Sequence, residues 1–189
     1  MKSKILTHSL AIIILVTTFF SCKKDSENPF LINAGQVGAI SKNIRINQLD
    51  SIFSQDSLVR KTNGNSEFRS TEEIKVFEKD GTPLLTIAPL EEFDSTSTVG
   101  YIRVLDPRYE TKKGLNINST FKDVVENYSI SRIENTINAA VVFLDEINAY
   151  ITIDKAKLPA NLRYDTDSTI MQSQIPDDAT FKYFMIYWN

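Results

Sequence analysis

Three oxygen-bearing side chains alternate in the C-terminal part of the sequence, at Asp165, Asp167 and Thr169. Alternating carboxylate and hydroxyl oxygens suit a hard cation such as calcium. The common calcium loop needs a glycine at its sixth position and a glutamate at its twelfth, but Ile170 and Pro176 occupy those positions here. We therefore predict a solvated loop with no assigned metal ligand, and an irregular calcium site is the alternative.

The same segment carries the pattern D-x-D-x-T, which resembles the motif of the haloacid-dehalogenase phosphatases. In that family the first aspartate attacks phosphorus and the second acts as acid and base, at the end of a buried apolar strand. The resemblance would give these roles to Asp165 and Asp167. The preceding residues 158–164 contain Pro159 and no apolar run, which argues against a buried strand. We therefore assign no catalytic residue here.

Paired carboxylates are a second candidate, because two acids that face each other across a cleft can hydrolyse a glycosidic bond. Acidic neighbours occur at Glu72-Glu73, Glu91-Glu92 and Asp145-Glu146. Adjacent strand residues point to opposite faces, so none of these pairs is itself such a dyad, and we predict solvated surface. A carboxylate-based hydrolase or glycan-processing accessory is the alternative function. It requires acids from different strands to converge with raised pKa values.

The N-terminal segment has the composition of a secretory signal peptide. Two lysines precede an apolar run over 10–20, and a small residue, Ser21, precedes the single cysteine, Cys22. A basic start, a short apolar stretch and a small residue at the cleavage site are typical of such signals. The run is shorter than the ~20 apolar residues of a membrane-spanning helix. We predict that residues 1–21 are removed.

The sequence Phe-Phe-Ser-Cys at 19–22 resembles the lipobox of bacterial lipoproteins. The resemblance implies cleavage between Ser21 and Cys22, a diacylglyceryl group on the Cys22 sulfur, and acylation of its new amino group, for example by palmitate. Residues 22–29 then form a flexible tether of at most ~30 Å, followed by a single domain over 30–189. The expected location is the outer membrane, with the periplasmic or cell-surface face left open.

The loss of the signal peptide also limits the chemistry. The only histidine, His8, lies within it, and acylation consumes the thiol of Cys22. The mature chain would then lack Cys-His and Ser-His-Asp nucleophiles and the usual ligands of zinc. We therefore expect no enzymatic activity and no cofactor.

The charge of the chain argues against nucleic acid as a partner. The formal net charge is -3, and removal of Lys2 and Lys4 makes the charge of the mature chain more negative. Lysine and arginine are not clustered along the sequence. Phosphate contacts supply most of the affinity for nucleic acids, so the expected partners are the membrane, through the acyl chains on Cys22, and an envelope protein or glycan.

Hydrophobic periodicity predicts two short helices and several strands. Apolar residues at helical spacing favour helices over 45–54 and 120–128. Two hairpins are expected over 74–87 and 140–153, and an apolar strand over 181–188. The predicted fold class is α+β, an antiparallel sheet with both helices packed on one face. Whether the domain consists of two helix–hairpin pseudo-repeats is left open.

The body of the chain, over roughly 35–155, resembles uncharacterised small lipoproteins of the Gram-negative envelope, and this resemblance implies a compact α+β domain. In the last strand, Tyr183, Tyr187 and Trp188 are candidate contacts for a sugar ring or a partner's pocket. The favoured interpretation is nevertheless that the last strand fills the core, with partial exposure of Trp188 as the exception of interest. The expected function is a lipid-anchored binding or assembly module. Capture of a small ligand or sugar is a further alternative, which predicts an apolar concavity lined by aromatic residues.

Overall fold

The computed structural model describes residues 28–63 and 71–188. The described residues form twelve β-strands. The strands are β1 (Leu31–Asn33), β2 (Gln36–Val37), β3 (Ile40–Ser41), β4 (Ser57–Asn63), β5 (Thr71–Phe77), β6 (Pro83–Pro89), β7 (Val99–Val104), β8 (Glu110–Thr111), β9 (Arg132–Asn135), β10 (Ala139–Leu144), β11 (Ala149–Asp154) and β12 (Tyr183–Tyr187).

Helices are few and short in this part of the chain. The α-helices are α1 (Leu49–Ile52), α2 (Phe121–Asn127) and α3 (Ala160–Arg163). Single 3-10 turns occur at Ile46–Gln48, Asp145–Ile147, Lys155–Lys157 and Gln172–Gln174. Within the described ranges, no helix has the length and apolar character needed to cross a membrane. The predicted α+β class is wrong, because twelve strands in two sheets dominate the fold.

The larger sheet has eight antiparallel strands in the order β4-β5-β6-β7-β12-β11-β10-β9, and the smaller has the order β3-β2-β1-β8. Both predicted hairpins are present, as β5–β6 and β10–β11. In the structure, further strands pair with both sides of each hairpin. The helix–hairpin unit that the sequence predicted therefore lacks strands that belong to the sheet. The strands it lacks, β4 and β9, lie at the two edges of the sheet and contain few apolar residues.

One face of the larger sheet carries the hydrophobic core. A row of small and branched apolar side chains crosses six strands in register, formed by Ile74, Ile87, Ile102, Ile186, Ala149 and Leu144. All six are fully buried. Because successive strand residues point to opposite faces, this alternation leaves the side chains between them on the other face. The helices and the smaller sheet therefore pack on one side only.

Helix α2 covers part of this core. Its N-cap is Thr120, whose side chain accepts a hydrogen bond from the Asp123 amide while Asp123 accepts one from the Thr120 amide at 2.7 Å. Phe121 and Val124 are buried beneath the helix, and the Tyr128 hydroxyl donates to Thr111 Oγ1 at 2.6 Å. The helix predicted over 120–128 is confirmed. The helix predicted over 45–54 is instead a 3-10 turn followed by the single turn of α1.

The chain after β12 joins the two sheets. Trp188 is only 4% exposed, and its Nε1 donates to the carbonyl oxygen of Ala34 at 3.1 Å. The side-chain amide of Asn148 donates to the same oxygen at 2.8 Å. These bonds hold the β1–β2 turn against one end of the larger sheet.

Candidate binding site on the open sheet face

The uncovered face of the larger sheet carries several aromatic side chains. Within β12, Phe184 and Ile186 point to the core, and Tyr183 and Tyr187 point to the open face. Trp188 follows the same alternation and belongs to the core, so the structure does not bring it together with the two tyrosines. Of the three predicted contact residues, two lie on an accessible surface.

Tyr187 lines a shallow concavity of about 440 Å³ on this face. The other lining residues come from four different strands and are Tyr101, Arg132, Val141, Phe143 and Tyr150. The rings of Phe143 and Tyr150 have centroids 5.5 Å apart, and those of Tyr150 and Tyr187 are 6.1 Å apart. We call this surface the aromatic face. Its neighbouring rings form a continuous apolar floor, bordered by the Tyr101 side chain, which pairs with Tyr187 across β7 and β12.

Charged groups border the aromatic face at one side. The guanidinium of Arg132 lies 3.4 Å from the centroid of the Phe143 ring and pairs with Glu134 at 2.9 Å. The Tyr187 hydroxyl donates to Asp145 Oδ1 at 3.1 Å. This rim therefore combines donors and acceptors beside the apolar floor, as sites for polar ligands with apolar faces do.

The environment keeps the tyrosine hydroxyls protonated. Burial raises the pKa of Tyr150, with a smaller contribution from Tyr101. Burial also raises the pKa of Tyr187, and so does its hydrogen bond to the Asp145 carboxylate. Both groups remain neutral at physiological pH, so they serve as hydrogen-bonding hydroxyls rather than as charged groups.

Two buried polar atoms lie next to the aromatic face without a partner among the described residues. They are Nε of Arg103 and Oγ1 of Thr152. The Thr152 residue is 8% exposed. The Arg103 guanidinium stacks 5.4 Å from the Tyr183 ring centroid and bonds to Glu73 at 3.2 Å. Buried polar atoms normally have partners, so these two retain unused hydrogen-bonding capacity.

Two of the acidic pairs meet in the structure, because the Glu92 carboxylate accepts a hydrogen bond from the backbone amide of Glu72 at 2.8 Å. Glu73 pairs with Arg103, and Glu146 pairs with Lys113 at 2.8 Å. Wherever an aspartate pKa is shifted within residues 28–63 and 71–188, it is lowered, and the largest cause is a hydrogen bond. None of these shifted aspartates has the raised pKa that a carboxylate-based hydrolase would require. Nor do the described residues contain a cluster of three potential metal ligands.

The segment from Asp165 to Thr169 is a loop. Asp165 Oδ1 accepts the amides of Asp167 and Ser168 at 2.9 and 3.1 Å, and its Oδ2 accepts the Ser168 hydroxyl at 2.6 Å. The Ser168 hydroxyl and the two amides lower the pKa of this carboxylate. Asp165 is thus engaged in shaping its own loop, in agreement with the predicted solvated loop.

The proposed lipidation and cleavage residues, Cys22 and Ser21, lie outside the described residues. Their roles stay predictions from the sequence.

Sequence reasoning missed the other three aromatic members of the aromatic face, namely Tyr101, Phe143 and Tyr150. A usable signal was available in the strand alternation. Tyr101 and Arg103 alternate with Ile102 and Val104, and Phe143 alternates with buried residues of β10. Aromatic residues at the non-core positions of neighbouring strands predict a shared surface, but the neighbours cannot be identified before the strand order is known.

No family model matches the chain, and no curated protein matches it. Among solved structures, the fold is similar to the crystal structure of the uncharacterised protein YfeY from Escherichia coli, with a TM-score of 0.56. The two chains are 13% identical, and the match covers 83% of this chain and 99% of the YfeY chain. At this identity the likeness shows the fold alone.

Proposed function

We propose that the protein is a lipid-anchored envelope protein whose domain binds a glycan chain through the aromatic face, without catalysing a reaction. The observation that carries the proposal is the floor of neighbouring rings from Phe143, Tyr150 and Tyr187 in a concavity of about 440 Å³. Sugar rings present apolar C–H faces that stack on aromatic side chains, and their hydroxyls need polar partners at the rim.

The polar groups around the floor favour a sugar over a purely apolar ligand. Arg132 and Asp145 offer charged donors and acceptors, and the Tyr187 hydroxyl is neutral. The three rings of the floor lie on β10, β11 and β12, in the interior of the sheet, where the backbone is already paired on both sides and cannot add the strand that many peptide ligands form. A glycan is therefore the ligand class that uses both the rings and the rim.

Binding of defined oligosaccharides tests the glycan proposal. We expect saturable binding of at least one of chitotetraose, cellotetraose and maltotetraose, measured by calorimetry and by amide chemical shifts. Tyr101→Ala should weaken this binding about tenfold, which corresponds to about 1.4 kcal/mol. Tyr164→Ala is the matched control, because Tyr164 is exposed but distant from the aromatic face. Absence of saturable binding for all three sugars, or equal effects of both variants, would overturn the proposal.

The anchor is tested separately through Cys22. The variant Cys22→Ser removes the thiol that would carry the diacylglyceryl group. We expect it to leave the outer-membrane fraction, or to remain as an uncleaved precursor on mass spectrometry. Equal membrane retention and equal mass of the mature chain in both proteins would contradict lipidation.

A further inference from the structure

A second surface lies at one end of the larger sheet, where two large apolar side chains project into solvent. Ile137, in the turn between β9 and β10, is 77% exposed, and Tyr164, directly after α3, is 92% exposed. Both border a pocket of about 430 Å³, together with the cationic side chains of Lys155, Arg163 and Lys182. We call this surface the apolar-basic end. An aliphatic side chain, a tyrosine and flanking cations are the residue types favoured at a membrane–water interface.

The carboxylates beside this surface already have partners. Asp154, the single acid that lines the pocket, pairs with Lys182 at 3.0 Å. The Asp165 carboxylate accepts hydrogen bonds from its own loop. The buried ammonium of Lys155 donates to the Asp165 carbonyl oxygen, and Nε of Arg163 donates to a carbonyl oxygen at 2.8 Å. The cations are thereby held beside the exposed apolar pair, and they outnumber the acids in the lining.

The N-terminal end of the described chain lies at the same end of the larger sheet. The antiparallel register of β7 and β12 places Asp106, which follows β7, at the same end as Lys182, which precedes β12. The Arg108 guanidinium binds Asp106 at 2.7 Å and stacks 4.5 Å from the ring centroid of Phe30. The start of the domain therefore lies at the same end of the larger sheet as the apolar-basic end.

The short connection to Cys22 limits how far this end can lie from an anchor. The six residues 22–27 reach at most about 20 Å when fully extended. We propose that the apolar-basic end docks on the bilayer that holds the acyl chains, with Ile137 and Tyr164 at headgroup depth and Arg163 against lipid phosphates. This inference rests on the proposed lipid anchor. The aromatic face lies on the side of the sheet and stays accessible.

Site-specific labelling of the lipidated full-length protein tests this orientation. Ile137→Cys introduces a labelling site, since the Cys22 thiol is consumed by lipid. Phe93→Cys is the matched control, because Phe93 is 61% exposed in the loop at the opposite end of the sheet. Each protein carries a polarity-sensitive fluorophore and is reconstituted into vesicles of phosphatidylethanolamine and phosphatidylglycerol that contain a headgroup-depth lipid quencher.

We expect both proteins to float with the vesicles, with a blue-shifted and quenched label at position 137 and an unshifted, unquenched label at position 93. Replacing Tyr164 with serine in the labelled protein should reduce the quenching at 137. Flotation with equal, aqueous emission from both labels would overturn docking and leave the anchor standing. Failure of both proteins to float would overturn the anchor and, with it, the docking.

Discussion

Replacement of Gly38 by alanine should destabilise the domain strongly, through two separable causes. Gly38 has φ of +55°, and an added Cβ would lie 2.7 Å from the carbonyl oxygen of Pro29 and 2.9 Å from Cε1 of Tyr109. A left-handed backbone costs a non-glycine residue about 1–2 kcal/mol, and overpacking costs about 1–3 kcal/mol. The free energy of unfolding should therefore fall by about 2–5 kcal/mol, if the costs add.

Two other glycines separate these causes. Gly114 has φ of +81° with no atom within 4 Å of an added Cβ, so Gly114→Ala should lose only about 1–2 kcal/mol. Gly35 has a negative φ and an open surrounding, so Gly35→Ala should stabilise slightly, by less than about 1 kcal/mol. Urea unfolding followed by Trp188 fluorescence measures all three. If Gly38→Ala and Gly114→Ala lower the free energy of unfolding equally, the tight contact between the N-terminal hairpin and Tyr109 is refuted.

Two further predictions concern stability. Arg108 lowers the pKa of the Asp106 carboxyl through hydrogen bonds. The ionised Asp106 carboxylate therefore stabilises the folded state fully above about pH 4, which is the pKa of an unfolded aspartate. This stabilisation is lost as the pH falls through the lower pKa of the folded state. Urea unfolding at pH values from about 2 to about 7 should show this loss in the natural protein, and Asp106→Asn should flatten the dependence of the unfolding free energy on pH. An unchanged slope in the variant would contradict the assignment. Thr120→Ala removes the N-cap of α2 and should cost about 1 kcal/mol, whereas Thr98→Ala would serve as a control outside that cap, and equal losses would count against the capping role.

Local patterns in the sequence were sufficient to predict helix α2 and the two hairpins of the larger sheet. The apolar spacing over 120–128 predicted α2, because such spacing is a local property of one helix face. The local strand pattern over 74–87 similarly predicted the β5–β6 hairpin. The edge strands were missed for a physical reason. Strand β9 reads Arg-Ile-Glu-Asn and offers the core a single apolar side chain, which is too few to establish a period of two.

The smaller sheet was missed because its strands are two or three residues long. Strands β1 and β8 pair in parallel although Ile32 and Thr111 are far apart in the chain, and such pairing leaves no local pattern. Most of the aromatic face was missed for the same reason. Tyr187 was a sequence candidate, but the rings of Tyr150 and Tyr101 join it only through the order of β7, β12 and β11. Trp188 lies in the core, as the favoured interpretation of the last strand predicted, whereas alternation along β12 leaves Tyr183 and Tyr187 on the open face.

The position of β12 has a consequence for biosynthesis. This strand follows all other strands in chain order and yet lies between β7 and β11, in the interior of the eight-stranded sheet. Until the ribosome has produced residues 183–187, the two halves of the sheet have no partner along these edges, and the β7–β12 pairing, like that of β1 and β8, joins segments that are far apart in the chain. Such topologies fold slowly. A nascent chain of this protein would therefore stay unfolded for longer than one whose strands pair in the order of synthesis.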